Sequence, residues 1–229
     1  MIKKYLKICH NQNKELVSLG LVFDTFGNVS QRVDKNHFTI KPSGINLTKI
    51  NKSNYPIINI NSGKVVEGKM KPSSDTPTHL ILYKKFSEIG GIVHTHSLYA
   101  TIWSQSNKEI PILGTTHADY FNDKILITRK LTSNQILKNY EMNTGLAICE
   151  RIKKYKDNIN IIPGILVRGH GPFTWGRNSA EAVKKAEALE YISNIAFKTI
   201  LLNPRAKLDK AIIDKHFNRK NGAKKYYGQ

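Results

Sequence analysis

Apolar positions recur at helical spacing near the N-terminus, where Tyr5, Leu6, Ile8, Cys9, Leu16 and Val17 give residues 2–19 one apolar face. From 20 to 70 the pattern shortens to small apolar runs between turn-forming clusters, which predicts short strands. Residues 38–40 form one, closed by Lys41-Pro-Ser-Gly44. Residues 57–60 form another, and Asn61-Ser-Gly63 turns it into Val65-Val66 as a hairpin. Ser74-Asp-Thr-Pro77 opens a helix running to about Phe86, with Pro77 in its first turn. Residues 91–96 read as a strand, and Ser97 can cap a helix from Leu98 to about Ser106. Residues 110–130 return to strands and loops, 134–154 read as helical, 161–167 as a strand and 170–176 as a loop. Asn178, with Glu181 three residues later, starts a long helix from Ser179 to about Leu202 that Pro204 ends. A last helix covers roughly 209–221 and stops at Gly222.

Hairpins mixed with helices point to an α/β or α+β domain with a largely antiparallel sheet. The 229 residues suit one domain, 1–229, large enough to bury a core without disulfides. No glycine-rich dinucleotide turn follows a strand and no P-loop occurs, so neither nicotinamide nor ATP chemistry is expected. Cys9 and Cys149 stand far apart, outside any C-x-x-C spacing, which reads as a reduced, cytoplasmic protein. The N-terminus lacks a signal-peptide core, and no run approaches the ~18 apolar residues of a membrane helix. The formal charge is +19, but the lysines are spread along the whole chain. No dense basic tract is interleaved with aromatics, so a nucleic-acid partner is not expected. The same field would draw in an anionic metabolite.

His94-Thr-His96 places two imidazoles on one face of a strand, because side chains alternate. That pair alone fits two buried structural histidines equally well. His170 follows an apolar run and lies between Gly169 and Gly171, where the backbone can turn sharply. Three neutral imidazoles with an open position describe a catalytic divalent-metal site. Asp75 is the natural carboxylate for that pocket, as a fourth ligand or as a group that orients one. Gly27-Asn-Val-Ser30, Lys41-Pro-Ser-Gly44 and Lys71-Pro-Ser-Ser74 are three polar turns rich in phosphate-binding donors. Each alone is an ordinary turn. Together, with one leading into Asp75, they favour a phosphate site.

These motifs, with Gly114-Thr-Thr-His-Ala-Asp-Tyr120, Gly169-His-Gly-Pro-Phe-Thr-Trp-Gly176 and a tail ending Tyr226-Tyr-Gly-Gln229, resemble the L-ribulose-5-phosphate 4-epimerase branch of the class II aldolase/adducin family. The likeness runs in order along essentially the whole chain. It implies a three-layer α/β/α fold around a central, mostly antiparallel sheet. It implies a homotetramer with active sites between subunits, acting on a sugar phosphate. It implies a divalent metal, usually zinc, held by His94, His96 and His170 with Asp75 close by, and no Schiff base. Gly27, Asn28, Ser43, Gly44, Ser73 and Ser74 match substrate-binding positions, with Lys41 as a further contact. Asp119 and Tyr227 match an acid/base pair from the adjacent subunit. Aldolases of the family tend to carry Glu where this chain has Asp75, which favours epimerase over aldolase.

Overall fold

The computed structural model describes residues 2–46, 51, 55–222 and 226. In chain order the elements are α1 (Ile2–Ser18), β1 (Asn28–Arg32), β2 (His37–Ile40), β3 (Ile57–Asn59), β4 (Val65–Glu67), α2 (Thr76–Lys85), β5 (Gly91–His94), α3 (Leu98–Ser106), α4 (Thr115–Tyr120), α5 (Ser133–Leu137), α6 (Tyr140–Arg151), β6 (Gly164–Val167), β7 (Gly171–Gly176), α7 (Ser179–Leu202) and α8 (Lys210–Asn221). The strands make one seven-stranded sheet in the order β4-β3-β2-β1-β5-β7-β6, and every strand pair is antiparallel.

Alternation along β5 divides the interior. Val93 faces one layer, where Leu16, Val29, Ala182, Val183 and Ala186 pack between the sheet, α1 and α7. Ile92 faces the other, a larger core with Phe38, Ile58, Leu82, Phe173 and Trp175. The sheet is thus flanked by helices on both faces, the expected α/β/α arrangement.

Several local expectations are corrected. Residues 170–176 read as a loop in the sequence, yet 171–176 form β7, buried throughout and placed between β5 and β6. Pro172 fits there because it lies beyond the last β5–β7 pair, His94 with Phe173, where its carbonyl accepts from Thr95 and no ladder donor is asked of its nitrogen. Gly27-Asn-Val-Ser30 is not a free turn: Gly27 (φ +85°) bends the chain, and Asn28 begins β1. The 110–130 segment contains the short helix α4, and the 134–154 helix breaks at Asn139 into α5 and α6. The strand over 161–167 begins only at Gly164. Ser97 makes no side-chain cap; the Glu190 carboxylate accepts from the Tyr99 and Ala100 amides instead, at 2.8 and 2.9 Å. No helix among the described residues is long and apolar enough to cross a membrane.

Close backbone approach fixes β5 against α7. A Cβ on Gly91 would lie 2.2 Å from the Ser179 amide nitrogen. Gly91→Ala should therefore destabilise the fold by ~2–3 kcal/mol through overpacking. Urea denaturation checks it, and an unchanged midpoint would show that α7 can shift freely.

Candidate metal centre

His94 ends β5, His96 lies two residues past it, and His170 stands immediately before β7. The β5–β7 pairing brings them together although His96 and His170 are 74 residues apart. His96 Nε2 lies 3.1 Å from His94 Nε2 and 3.1 Å from His170 Nε2. One donor atom from each of the three lies within 4.8 Å of the others. Tetrahedral zinc with bonds of about 2.0–2.1 Å would hold neighbouring nitrogens about 3.3 Å apart, so the donor set fits such an ion.

The orientation of each ring has a cause. His94 Nδ1 donates to the Pro172 carbonyl at 3.0 Å, which leaves the Nε2 lone pair facing the cluster. Its ring stacks on Phe173, with centroids 4.2 Å apart. His96 stacks on Phe26 at 5.2 Å. His170 Nδ1 lies 3.1 Å from the Tyr140 hydroxyl. Burial, helped by His96 alongside, pushes His94 down to about 3. Burial also lowers His96 and His170. Neutral imidazole is the form that ligates a metal.

The same rings line a cavity of about 380 Å³ with Asp75, Gly27, Asn28, Lys41, Ser43, Gly44, Ser73 and Ser74. Asp75 is not part of the three-nitrogen group; its Oδ2 accepts from Asn28 Nδ2 at 2.7 Å. Asn28 Nδ2 also donates to Ser73 Oγ at 3.2 Å. The two Lys-Pro-Ser turns pair with each other: Ser43 N donates to the Lys71 carbonyl and Ser73 N to the Lys41 carbonyl, both at 2.9 Å. Lys41 is buried, and its Nζ donates to the Thr25 carbonyl at 2.7 Å. Burial lowers its pKa, while Asp75 and Asp24 oppose that shift.

Asp119 is elsewhere in the chain. It sits on α4 and is held by α8: Arg219 donates to it through Nε at 3.1 Å and Nη2 at 2.8 Å, and His216 Nδ1 lies 3.2 Å away. It does not line the cavity of its own chain. Tyr227 lies outside the described residues. Sequence reasoning missed Thr25, Phe26, Tyr140 and Glu141, which also line the cavity. Phe26 precedes the Gly27-Asn28 motif and was within reach of a wider window. Tyr140 and Glu141 open α6 with no local signature.

His79 lies in the layer beneath the site. It is fully buried, with Nδ1 2.7 Å from Ser30 Oγ, and desolvation pushes it down to about 3. The unfolded chain therefore binds more protons than the folded one between about 3 and the ordinary value of 6.5. The stability owed to neutral His79 is present above about 6.5 and is lost as pH falls towards about 3; the other buried histidines act in the same direction. Metal-free protein should show a falling urea midpoint from about pH 7 to about pH 4; a flat profile would contradict neutral burial.

The family model described as Class II Aldolase and Adducin N-terminal domain matches residues 10–197. An L-fuculose 1-phosphate aldolase structure is 25% identical, covers 94% of this chain and 95% of its own, and superposes with a TM-score of 0.79. A sugar-phosphate aldolase from Thermotoga maritima is 21% identical, covers 88% and 97%, and has a TM-score of 0.70. An L-fuculose-1-phosphate aldolase from Thermus thermophilus is 20% identical, covers 88% and 98%, and has a TM-score of 0.69. At 20% and 21% identity the last two speak to the fold alone.

Proposed function

This chain belongs to the class II aldolase and adducin family, and on that premise we propose that it is a metal-dependent epimerase interconverting L-ribulose 5-phosphate and D-xylulose 5-phosphate. The observation that carries the reading is the cavity itself. Three imidazoles with convergent Nε2 atoms share it with Asp75, Lys41 and the paired serine turns.

The C4 proton of such a ketose is not acidic, so simple deprotonation is a poor route to inversion. Cleaving and remaking the C3–C4 bond avoids it. A divalent ion, zinc in the first instance, supplies Lewis-acid polarisation of the carbonyl and stabilises the negative charge left by cleavage. His94, His96 and His170 would hold that ion. Asn28 fixes Asp75 beside them. Gly27, Asn28, Ser43, Gly44, Ser73 and Ser74 are the proposed phosphate cradle, with Lys41 supplying positive charge. An anchored phosphate lets the cleaved aldehyde fragment rotate without leaving.

Inversion then needs a proton taken from the C4 oxygen on one side and returned on the other. Asp119 and Tyr227, each from a neighbouring copy in a homotetramer, are the proposed pair. The absence of Asp119 from its own chain's cavity favours that arrangement. A class II aldolase acting on a related ketose 1-phosphate is the second reading, favoured by the likeness to an L-fuculose 1-phosphate aldolase.

The test is incubation with L-ribulose 5-phosphate in zinc-replete buffer, with and without chelator. D-xylulose 5-phosphate should form only where metal is present. Steady release of free aldehyde would select the aldolase. No D-xylulose 5-phosphate in metal-replete buffer overturns the epimerase, and a parallel incubation with L-fuculose 1-phosphate that releases no aldehyde overturns the aldolase.

A further inference from the structure

A second cavity, of about 350 Å³, borders the first at Tyr140. Tyr140 lines both spaces. Arg129, Lys130 and Arg168 line the second one, and none of its described lining residues is acidic. Leu131 and Ile136 add an apolar wall. Arg129 is already committed, with Nε 2.8 Å from Glu150 and Nη1 3.0 Å from the Gln135 side-chain oxygen. Lys130 and Arg168 have no acidic partner among the described residues.

The walls are fixed by backbone bonds. Thr128 N donates to the Leu166 carbonyl at 2.9 Å, and Arg168 N donates to Thr128 Oγ1 at 3.1 Å. A bound anion would thus meet two uncommitted cations and a preset frame.

We propose that this cavity is a separate site for a small phosphate-class dianion, and that Tyr140 couples it to the metal centre. This rests on the three-histidine reading. With Nε2 turned to the metal, His170 must present its Nδ1–H to the Tyr140 oxygen. The tyrosine hydroxyl then keeps its own proton, which a charged anion accepts more strongly than the neutral Thr144 side chain that also hydrogen-bonds it. An anion in the second cavity is that acceptor, and the chain from anion through Tyr140 to His170 makes Nε2 a stronger donor to the ion. By linkage, metal must tighten anion binding by the same factor that the anion tightens metal binding.

Sulfate is the probe, because it carries the charge and ligates zinc weakly. Its binding is followed calorimetrically in the Lys41→Met protein, which weakens anion binding in the first cavity. Replacing Lys130 and Arg168 by Gln in that background should weaken sulfate by about tenfold or more, each charged hydrogen bond being a strong one. The same charge removed at Lys3 and Lys4, exposed on α1 against the opposite face of the sheet, should change it less than about twofold, since distant exposed charges are screened. Zinc affinity, read by competition with a coloured chelator, should rise about fivefold with saturating sulfate, a fraction of what a hydrogen-bond partner of a ligand contributes. Tyr140→Phe should keep sulfate binding and lose that rise. Equal sulfate affinity in the Lys130/Arg168 variant, an unmoved zinc affinity, or coupling that survives Tyr140→Phe overturns the proposal. A chain that binds sulfate as described but takes up no zinc fails on the metal reading instead, and the coupling falls with it.

Discussion

His96→Ala will give a folded chain that no longer retains a divalent ion through gel filtration, and sugar-phosphate turnover will fall by at least about a thousandfold. His96 Nε2 is the atom that stands 3.1 Å from both other nitrogens, so its loss leaves a two-nitrogen site. The ring is only partly buried and stacks on the half-exposed Phe26, so little core packing goes with it. Metal analysis of the purified variant, beside its circular dichroism and turnover, checks the result. Stoichiometric zinc with normal turnover would remove His96 from the ligand set.

Asp119→Asn should lower kcat by about 10²–10⁴-fold, the range of a lost general acid or base, with KM moving only a few-fold. Metal content should be unchanged, which separates this variant from His96→Ala. Asparagine keeps the shape that Arg219 and His216 grip but cannot accept the substrate's proton. Arg219→Lys is the companion measurement: it retains the charge but loses the two-point grip. A full-rate Asp119→Asn protein would reduce Asp119 to a clamp between α4 and α8.

Legibility followed the length and periodicity of each segment. The long helix α7 was readable because Asn178 caps it, accepting from the Glu181 amide at 2.9 Å, and its apolar stripe repeats over many turns. The strand β7 was not, because Gly171, Pro172 and Gly176 are turn residues by composition. The two glycines are needed there for close approach: a Cβ on Gly171 would lie 2.5 Å from the Thr95 carbonyl, and one on Gly176 2.8 Å from Glu181 Cβ. The helix α4, of six residues, is too short to show a period. In the site, the histidines and serine turns were legible because each sits in a short motif. Tyr140 and Phe26 were not, since their roles exist only after β5, β7 and α6 have met. The pairing of the two Lys-Pro-Ser turns was likewise hidden, because a backbone ladder between loops leaves no side-chain pattern.

The separation of the histidines along the chain also sets a clock on the ribosome. His94 and His96 leave the exit tunnel as a pair, and His170 follows 74 residues after His96. At roughly 5–20 residues per second that interval is about 4–15 s. If the three histidines hold an ion as proposed, the nascent chain would offer only a two-nitrogen chelate throughout that interval, and such a chelate would hold its ion weakly. Firm capture would then wait until β7 has docked beside β5, so that ion loading would mark the completion of the sheet and come after the translation of the site.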